Sequence, residues 1–266
     1  MEENSVEQTK ELLSKKDVSN TLGNVEENTV KQNEPIYESS LNEETAAQTE
    51  TVFNSSTDFN FDSVVKNINK QLYKKGIPEV ALTVMPDAVN DFIGEIASKM
   101  YSVKQEEITI EELSQQKQNM YNSLIAVAYY ESSLGNPKNR KTNGTIDHGN
   151  DNTAGMFGVQ KKSVETMHTN RTLPEDITWD LISNDPALGD YVGALNVLQV
   201  DARALNRTGT YPTPNQSIAL NRSGIDGTLF DNAYDVNRSM ASWSDAEKTN
   251  YTNSIEFLNL IGIGGQ

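Results

Sequence analysis

From Thr109 to Glu131 the chain carries Leu113, Met120, Leu124 and Val127 at steps of seven, four and three residues, with Glu131 four residues further on. That period sets the apolar side chains and the carboxylate on one face of a helix. Thr109 followed three residues later by Glu112 forms a capping box at its start, and Gly135 and Pro137 stop it. A stripe of this length needs other helices to cover it. The carboxylate at its end loses hydration, which disfavours the charged form and raises the pKa. A proton donor that works near neutral pH needs such an environment. The alternative is an ordinary helix-end acid, paired in a salt bridge or solvated by the loop that follows.

The rest of the C-terminal four-fifths reads as helices of the same kind. Val64, Val65, Ile68 and Leu72 recur at helical spacing until Gly76 and Pro78. Pro86 opens a helix with Val89, Phe92, Ile93, Ile96 and Met100 on its apolar face, and Ser163–Met167 suggests a short one. Asp185-Pro186 is an N-cap with Pro at the first helical position. It opens a long helix whose face runs Leu188, Tyr191, Val192, Leu195, Leu198, Ala202 and Leu205. Thr213-Pro214 caps a helix ending at Leu220-Asn221, and Ser244 with Glu247 is a capping box before a last helix bearing Tyr251, Ile255 and Leu258. Residues 136–153 are polar, rich in Asn and Gly, and read as loop. No internal repeat or alternating run of strands is present. The expected fold is mainly α, from residue 57 to residue 266.

Residues 1–56 differ in kind. They hold 12 acids against 4 lysines, so half of the chain's net charge of −16 falls in about a fifth of its length. Tyr37 and Phe53 are their only aromatics. Such a segment buries too little apolar surface to offset its ordering entropy, and a disordered acidic tail is expected. The acidic balance argues against nucleic acid or an anionic membrane as the partner. No apolar run approaches the roughly 18 residues of a membrane span. The start, MEENSVEQTK, is acidic where a secretory signal has basic residues and then an apolar core, so no signal peptide is expected. There is no cysteine, hence no disulfide and no thiolate site.

Downstream of Glu131 come Ser132-Ser133, the polar loop, and Ala154-Gly155-Met156-Phe157-Gly158-Val159-Gln160. This string resembles the signature of the soluble lytic transglycosylases, relatives of the goose-type lysozymes, which reads Glu-Ser and then Gly-Leu-Met-Gln. Here the Gln stands five residues after Gly155 rather than three, with Gly158 at the family's Gln. The resemblance continues in Leu220-Asn221-Arg222-Ser223-Gly224, similar to the family's Tyr-Asn-Ala-Gly turn with Leu for Tyr and one extra residue. It ends in Glu247-Lys248-Thr249-Asn250-Tyr251-Thr252, similar to Glu-Thr-x-x-Tyr-Val. It implies a lysozyme-like α-helical domain with Glu131 as its single catalytic acid. It also implies a saccharide groove bordered by Phe157, Gln160, Asn221 and Tyr251, acting on peptidoglycan strands without metal or organic cofactor. From residue type alone, Asn221 reads equally as a helix-terminal Asn and Tyr251 as a core tyrosine.

Other chemistries are poorly supported. His148 and His168 lack zinc-site spacing, and Asp147 and Asp151 do not follow the calcium-loop pattern. No phosphate loop occurs, and Ser132 has no triad motif around it. The expectation is a peptidoglycan-cleaving lytic transglycosylase, carried on a phage particle for local wall opening during genome entry, with the tail free to bind other virion proteins. Two alternatives stand beside it. One is a hydrolytic goose-type muramidase, in which Asp147 or Asp151 holds the water. The other is a non-enzymatic virion module that binds glycan or serves as structure.

Overall fold

The structure is a computed structural model and describes residues 60–224 and 234–263. The acidic tail expected over residues 1–56 lies outside the described residues. Phe59–Gln266 is one compact unit and is mainly α, as the periodicity predicts. Its described elements are α1 (Phe61–Lys74), α2 (Val84–Lys104), α3 (Ile110–Ser132), α4 (Lys161–Thr169), α5 (Trp179–Asn184), α6 (Pro186–Thr208), α7 (Pro214–Ser223), α8 (Val236–Met240) and α9 (Asp245–Leu260). No helix among the described residues is long and apolar enough to cross a membrane.

The caps sit where the sequence sets them. At the start of α3 the Thr109 hydroxyl accepts from the Glu112 N–H at 3.2 Å, and the Glu112 carboxylate accepts from the Thr109 N–H at 2.9 Å. The Asp185 carboxylate accepts from the N–H groups of Ala187 and Leu188, opening α6 at Pro186. Thr213 and Ser244 cap α7 and α9 with boxes of the same kind. Helix α2 begins two residues before Pro86, which sits in its first turn where a missing N–H costs nothing. Helix α7 runs two residues past Asn221, which brings Arg222 into it.

Helices α3 and α6 form the centre. Both are buried on more than one face: Leu124, Ile125, Ala126, Val127 and Ala128 of α3 are inaccessible, as are Val192, Ala194, Val197 and Leu198 of α6. Helix α2 packs along α6, and α7 and α9 along α3. The Tyr129 ring stacks on Phe257 of α9 at 3.9 Å between centroids, nearly parallel, and Asn250 of α9 donates to the Tyr129 neighbour, the Tyr130 carbonyl, at 2.8 Å. The C-terminal end of α3 is thereby fixed against α9.

A single 3-10 turn at Pro137–Asn139, a hairpin and two short helices escape the sequence pattern. The expected loop gives way at Thr153 to an antiparallel hairpin, in which β1 (Thr153–Ala154) pairs with β2 (Val159–Gln160) in the register Thr153 to Gln160 and Ala154 to Val159. Two-residue strands carry no alternation to read, so periodicity cannot find them. Helices α5 and α8, six and five residues long, are too short to complete a recognisable helical stripe.

Candidate active site

Glu131 is the second-last residue of α3, and the chain behind it turns sharply. Ser133, Leu134 and Gly135 all adopt positive φ (53°, 62° and 71°). Left-handed backbone costs an ordinary residue roughly 1–2 kcal/mol, and Leu134 is buried in it. The turn is held from within: the Ser132 hydroxyl accepts from the Gly135 N–H at 2.8 Å and lies 2.8 Å from the Met156 carbonyl, to which it donates. The same hydroxyl therefore ties the helix end to the hairpin.

The hairpin is anchored on its other side by α6. The Met156 N–H donates to Asp190 Oδ1 at 2.6 Å, and Asp190 Oδ2 faces the Arg140 guanidinium at 3.7 Å. Arg140 also donates to the carbonyls of Gly135 (3.1 Å) and Gly144 (2.6 Å). Burial pushes the Asp190 carboxyl up from 3.8 to about 6, against the pull of the Met156 N–H and Arg140. His148 Nε2 meets the Gly155 carbonyl at 2.8 Å. Glycines allow the hairpin to settle this close. A β carbon on Gly155 would lie 2.3 Å from the Gly189 carbonyl oxygen, and one on Gly193 would lie 2.9 Å from the β carbon of Phe157.

These contacts set Gly158 over the acid. With φ of 63° at Gly158, a β carbon there would stand 2.7 Å from Glu131 Oε2 and 3.1 Å from its carboxyl carbon. Glycine is required twice over, by its backbone conformation and by the carboxyl in front of it. Glu131 is largely enclosed, and its loss of hydration raises the carboxyl from 4.5 to about 7, partly offset by the positive charge of Arg222. A group in that range is divided between acid and base at neutral pH.

Arg222, at the end of α7, is bound to Glu247 of α9: its Nε donates to Oε1 at 2.7 Å, and Nη2 donates to the same oxygen. Its positive charge also acts on the Tyr130 hydroxyl. The second oxygen of Glu247 accepts from the N–H and hydroxyl of Ser244, each at 2.8 Å. These bonds hold the Glu247 carboxyl down at about 2. Trp243 lies beside them, tilted against Tyr130 at 6.3 Å and edge-on to Tyr251 at 5.6 Å, with its indole N–H donating to Ser223.

The structure thus sets Gly158 against Glu131 and binds Arg222 to Glu247, with Trp243 in ring contact with both Tyr130 and Tyr251. The resemblance-based residues fare unequally. Phe157 is 4% exposed and packs on Gly193, so it is core rather than groove lining. Gln160 is exposed at the end of β2. Asn221 is half-buried and donates to the Ser217 carbonyl one turn back in its own helix. Tyr251 is half-buried and meets the Trp243 ring edge-on. Asp147 and Asp151 are exposed, and Asp147 accepts from the Gly149 N–H in a tight turn. His168 bonds the Ile177 carbonyl. Among the described residues no three potential metal ligands converge.

Arg222 and Trp243 escape the spacing argument, because each lies far along the chain from Glu131. A signal for the hairpin seat was present, however. Gly189 and Gly193, one turn apart inside an otherwise apolar helix, mark a surface that another backbone approaches. Compared with protein families, curated proteins and solved structures, the chain matches none.

Proposed function

We propose that this chain is a peptidoglycan lytic transglycosylase that cleaves the β-1,4 bond between N-acetylmuramic acid and N-acetylglucosamine, with Glu131 as both acid and base. The observation that carries the reading is the Glu131 carboxyl itself: raised to about 7 by burial and covered by Gly158. The substrate class rests on the resemblance of Glu131-Ser132-Ser133 and the Gly155–Gln160 segment to the transglycosylase signature.

In this scheme protonated Glu131 donates to the glycosidic oxygen as the C1–O bond breaks. The carboxylate left behind faces the positive charge developing at C1. It then takes the proton of the C6 hydroxyl of the same muramyl residue as that oxygen attacks C1. A 1,6-anhydro end forms, the acid is restored, and no water is consumed. An inverting hydrolase would instead need a second carboxylate roughly 6.5–9.5 Å away with an oxygen free to hold water. Glu247 is spent on Arg222 and Ser244, and Asp147 and Asp151 are exposed turn residues. These placements favour the single-acid route.

Glu131→Gln keeps the shape and removes the proton. Clearing of purified peptidoglycan in a zymogram should fall by roughly 10²–10⁴-fold; undiminished clearing would move the acid elsewhere. The setting we propose is a phage particle, with the acidic segment over 1–56 as the link to other virion proteins. Proteomics of purified particles tests that setting, and absence of the chain contradicts it.

A further inference from the structure

We propose that the exposed face of α1 docks an anionic cell-wall polymer, a single strand of polyol units joined by phosphodiesters and attached to the peptidoglycan. The choice of a wall polymer rests on the peptidoglycan reading of the Glu131 site, while the charged row described next stands without it.

The row is one of like charges in a chain of the opposite sign. Residues 66–75 read Lys-Asn-Ile-Asn-Lys-Gln-Leu-Tyr-Lys-Lys, with four lysines and no acid, although the chain as a whole carries −16. Ile68 and Leu72 face inward and are inaccessible. Lys66, Lys70 and Lys74 stand on the other side, all exposed, and successive ones are about 6 Å apart along the helix axis. Tyr73 lies beside them, 81% exposed. Like charges one turn apart repel and weaken a helix. The helix dipole accounts for cations in the last turn, at Lys74 and Lys75, but not for Lys66 and Lys70. Helix α2 shows the ordinary arrangement, with Glu95 before Lys99 at the same spacing and the two paired at 3.1 Å. Among the described residues no carboxylate pairs with Lys66, Lys70 or Lys74.

Three contacts give the row a direction. Phe61, at the start of α1, stacks on Tyr121 of α3 at 4.7 Å. Lys75 lies 5.8 Å from the centroid of Phe257, the ring on which Tyr129 stacks. Lys138, just past the Glu131 end of α3, donates to the Gly76 carbonyl at 3.1 Å. Helix α1 therefore runs in the same sense as α3, and its lysines lead toward the end of α3 that carries Glu131.

The shape of the charge selects the partner. A duplex or a membrane presents a broad negative surface, which would also meet the acid excess of the chain. A single strand can lie on the row alone, since exposed charges beyond about 8 Å are screened at physiological salt. A stem peptide of peptidoglycan carries amino groups among its carboxylates, and a row without acids repels them. Single-stranded nucleic acid uses aromatic platforms for successive bases, and the row offers only the ring of Tyr73. A polyol-phosphate strand needs no more than evenly spaced cations, because every repeat carries one negative phosphodiester.

The test is binding of the full-length wild-type chain to a fluorescent glycerol-phosphate oligomer, read by anisotropy. The oligomer has no glycosidic bond, so the result is independent of lysis. Raising salt from about 50 to 200 mM should weaken binding roughly 10–20-fold, the release expected for about three neutralised charges. K66Q/K70Q/K74Q should lose at least about tenfold in affinity, with an undiminished melting temperature because repulsion is relieved. K66R/K70R/K74R should retain binding, and so should K162Q, which removes an exposed lysine of α4. Sedimentation with sacculi, using E131Q so that the glycan stays uncut, should fall when hydrofluoric acid strips the phosphodiesters and persist when an amidase strips the stem peptides. The proposal is overturned by no binding to the oligomer, or by binding that survives K66Q/K70Q/K74Q in a folded chain. Equal or tighter binding to a single-stranded oligonucleotide overturns it too, as does sedimentation lost on amidase treatment alone, even if wild type cleaves peptidoglycan. Salt-sensitive oligomer binding that the neutral variant loses upholds it, even in a chain that cleaves nothing; the cleavage reading alone would then fail.

Discussion

The α carbon of Gly158 faces the carboxyl of Glu131 so closely that one added methyl group at 158 would stand 2.7 Å from Oε2. The hairpin therefore determines where the acid sits. Gly158→Ala should cost roughly 1–2 kcal/mol through its left-handed backbone, and more through the displaced carboxyl. Lysis should fall by about 10²-fold, because small misplacements of a reacting group are that costly. Lysis rate and melting temperature measured together check this. A folded variant with wild-type lysis would detach the hairpin from the site.

The seat of the hairpin gives a second expectation. Asp190→Ala leaves the buried Met156 N–H without an acceptor and Arg140 without its carboxylate, at a cost of about 2–4 kcal/mol. Urea unfolding measures the loss. Hydrogen exchange at the Met156 amide should accelerate well beyond that of amides in α2. Unchanged protection at Met156 would mean that Asp190 does not hold the hairpin.

Much of this arrangement is legible in the sequence, because its signals are local. Capping side chains act on N–H groups two or three residues away, so Thr109, Asp185, Thr213 and Ser244 announce their helices locally. Glu131 stands out because a carboxylate at the end of an apolar stripe is a local conflict. What the sequence does not carry is convergence. Gly158 meets Glu131 through tertiary packing, as Arg222 meets Glu247 and Trp243 meets Tyr130, and nothing in their spacing encodes it. Phe157 shows the reverse case: a motif suggests a groove residue, while the notch at Gly193 draws the ring inward. The acids of α6 were hidden by the apolar face they interrupt, and only the fold reveals that Asp190 and Asp201 are buried in it.

These buried acids make stability depend on pH in a direction opposite to the usual one. Glu131 is raised from 4.5 to about 7, Asp190 from 3.8 to about 6, and Asp201 from 3.8 to about 7, in each case chiefly by burial. Each binds its proton more tightly folded than unfolded. Between about pH 4 and 7 the folded state therefore holds more protons, and stability falls as pH rises through that window. Glu247, held at about 2, acts oppositely, its contribution present above 4.5 and lost as pH falls through 2. The melting temperature should thus be highest near pH 4 and decline toward pH 8. Asp201, whose Oδ2 accepts from the hydroxyls of Ser217 and Tyr211, supplies a separable part. Asp201→Asn should flatten the decline without touching lysis. A melting temperature that rises from pH 5 to pH 8 would contradict the burial of these groups in solution.

The central claim is that Glu131 alone carries both proton transfers. It is tested most directly by mass spectrometry of the fragments that the purified chain releases from peptidoglycan sacculi. The account predicts 1,6-anhydro-muramyl ends from wild type, the same ends from Asp147→Asn and Asp151→Asn at near wild-type rates, and no fragments from Glu131→Gln. Reducing muramyl ends, lost in either Asp variant, would contradict it and show that a second carboxylate delivers water to the bond.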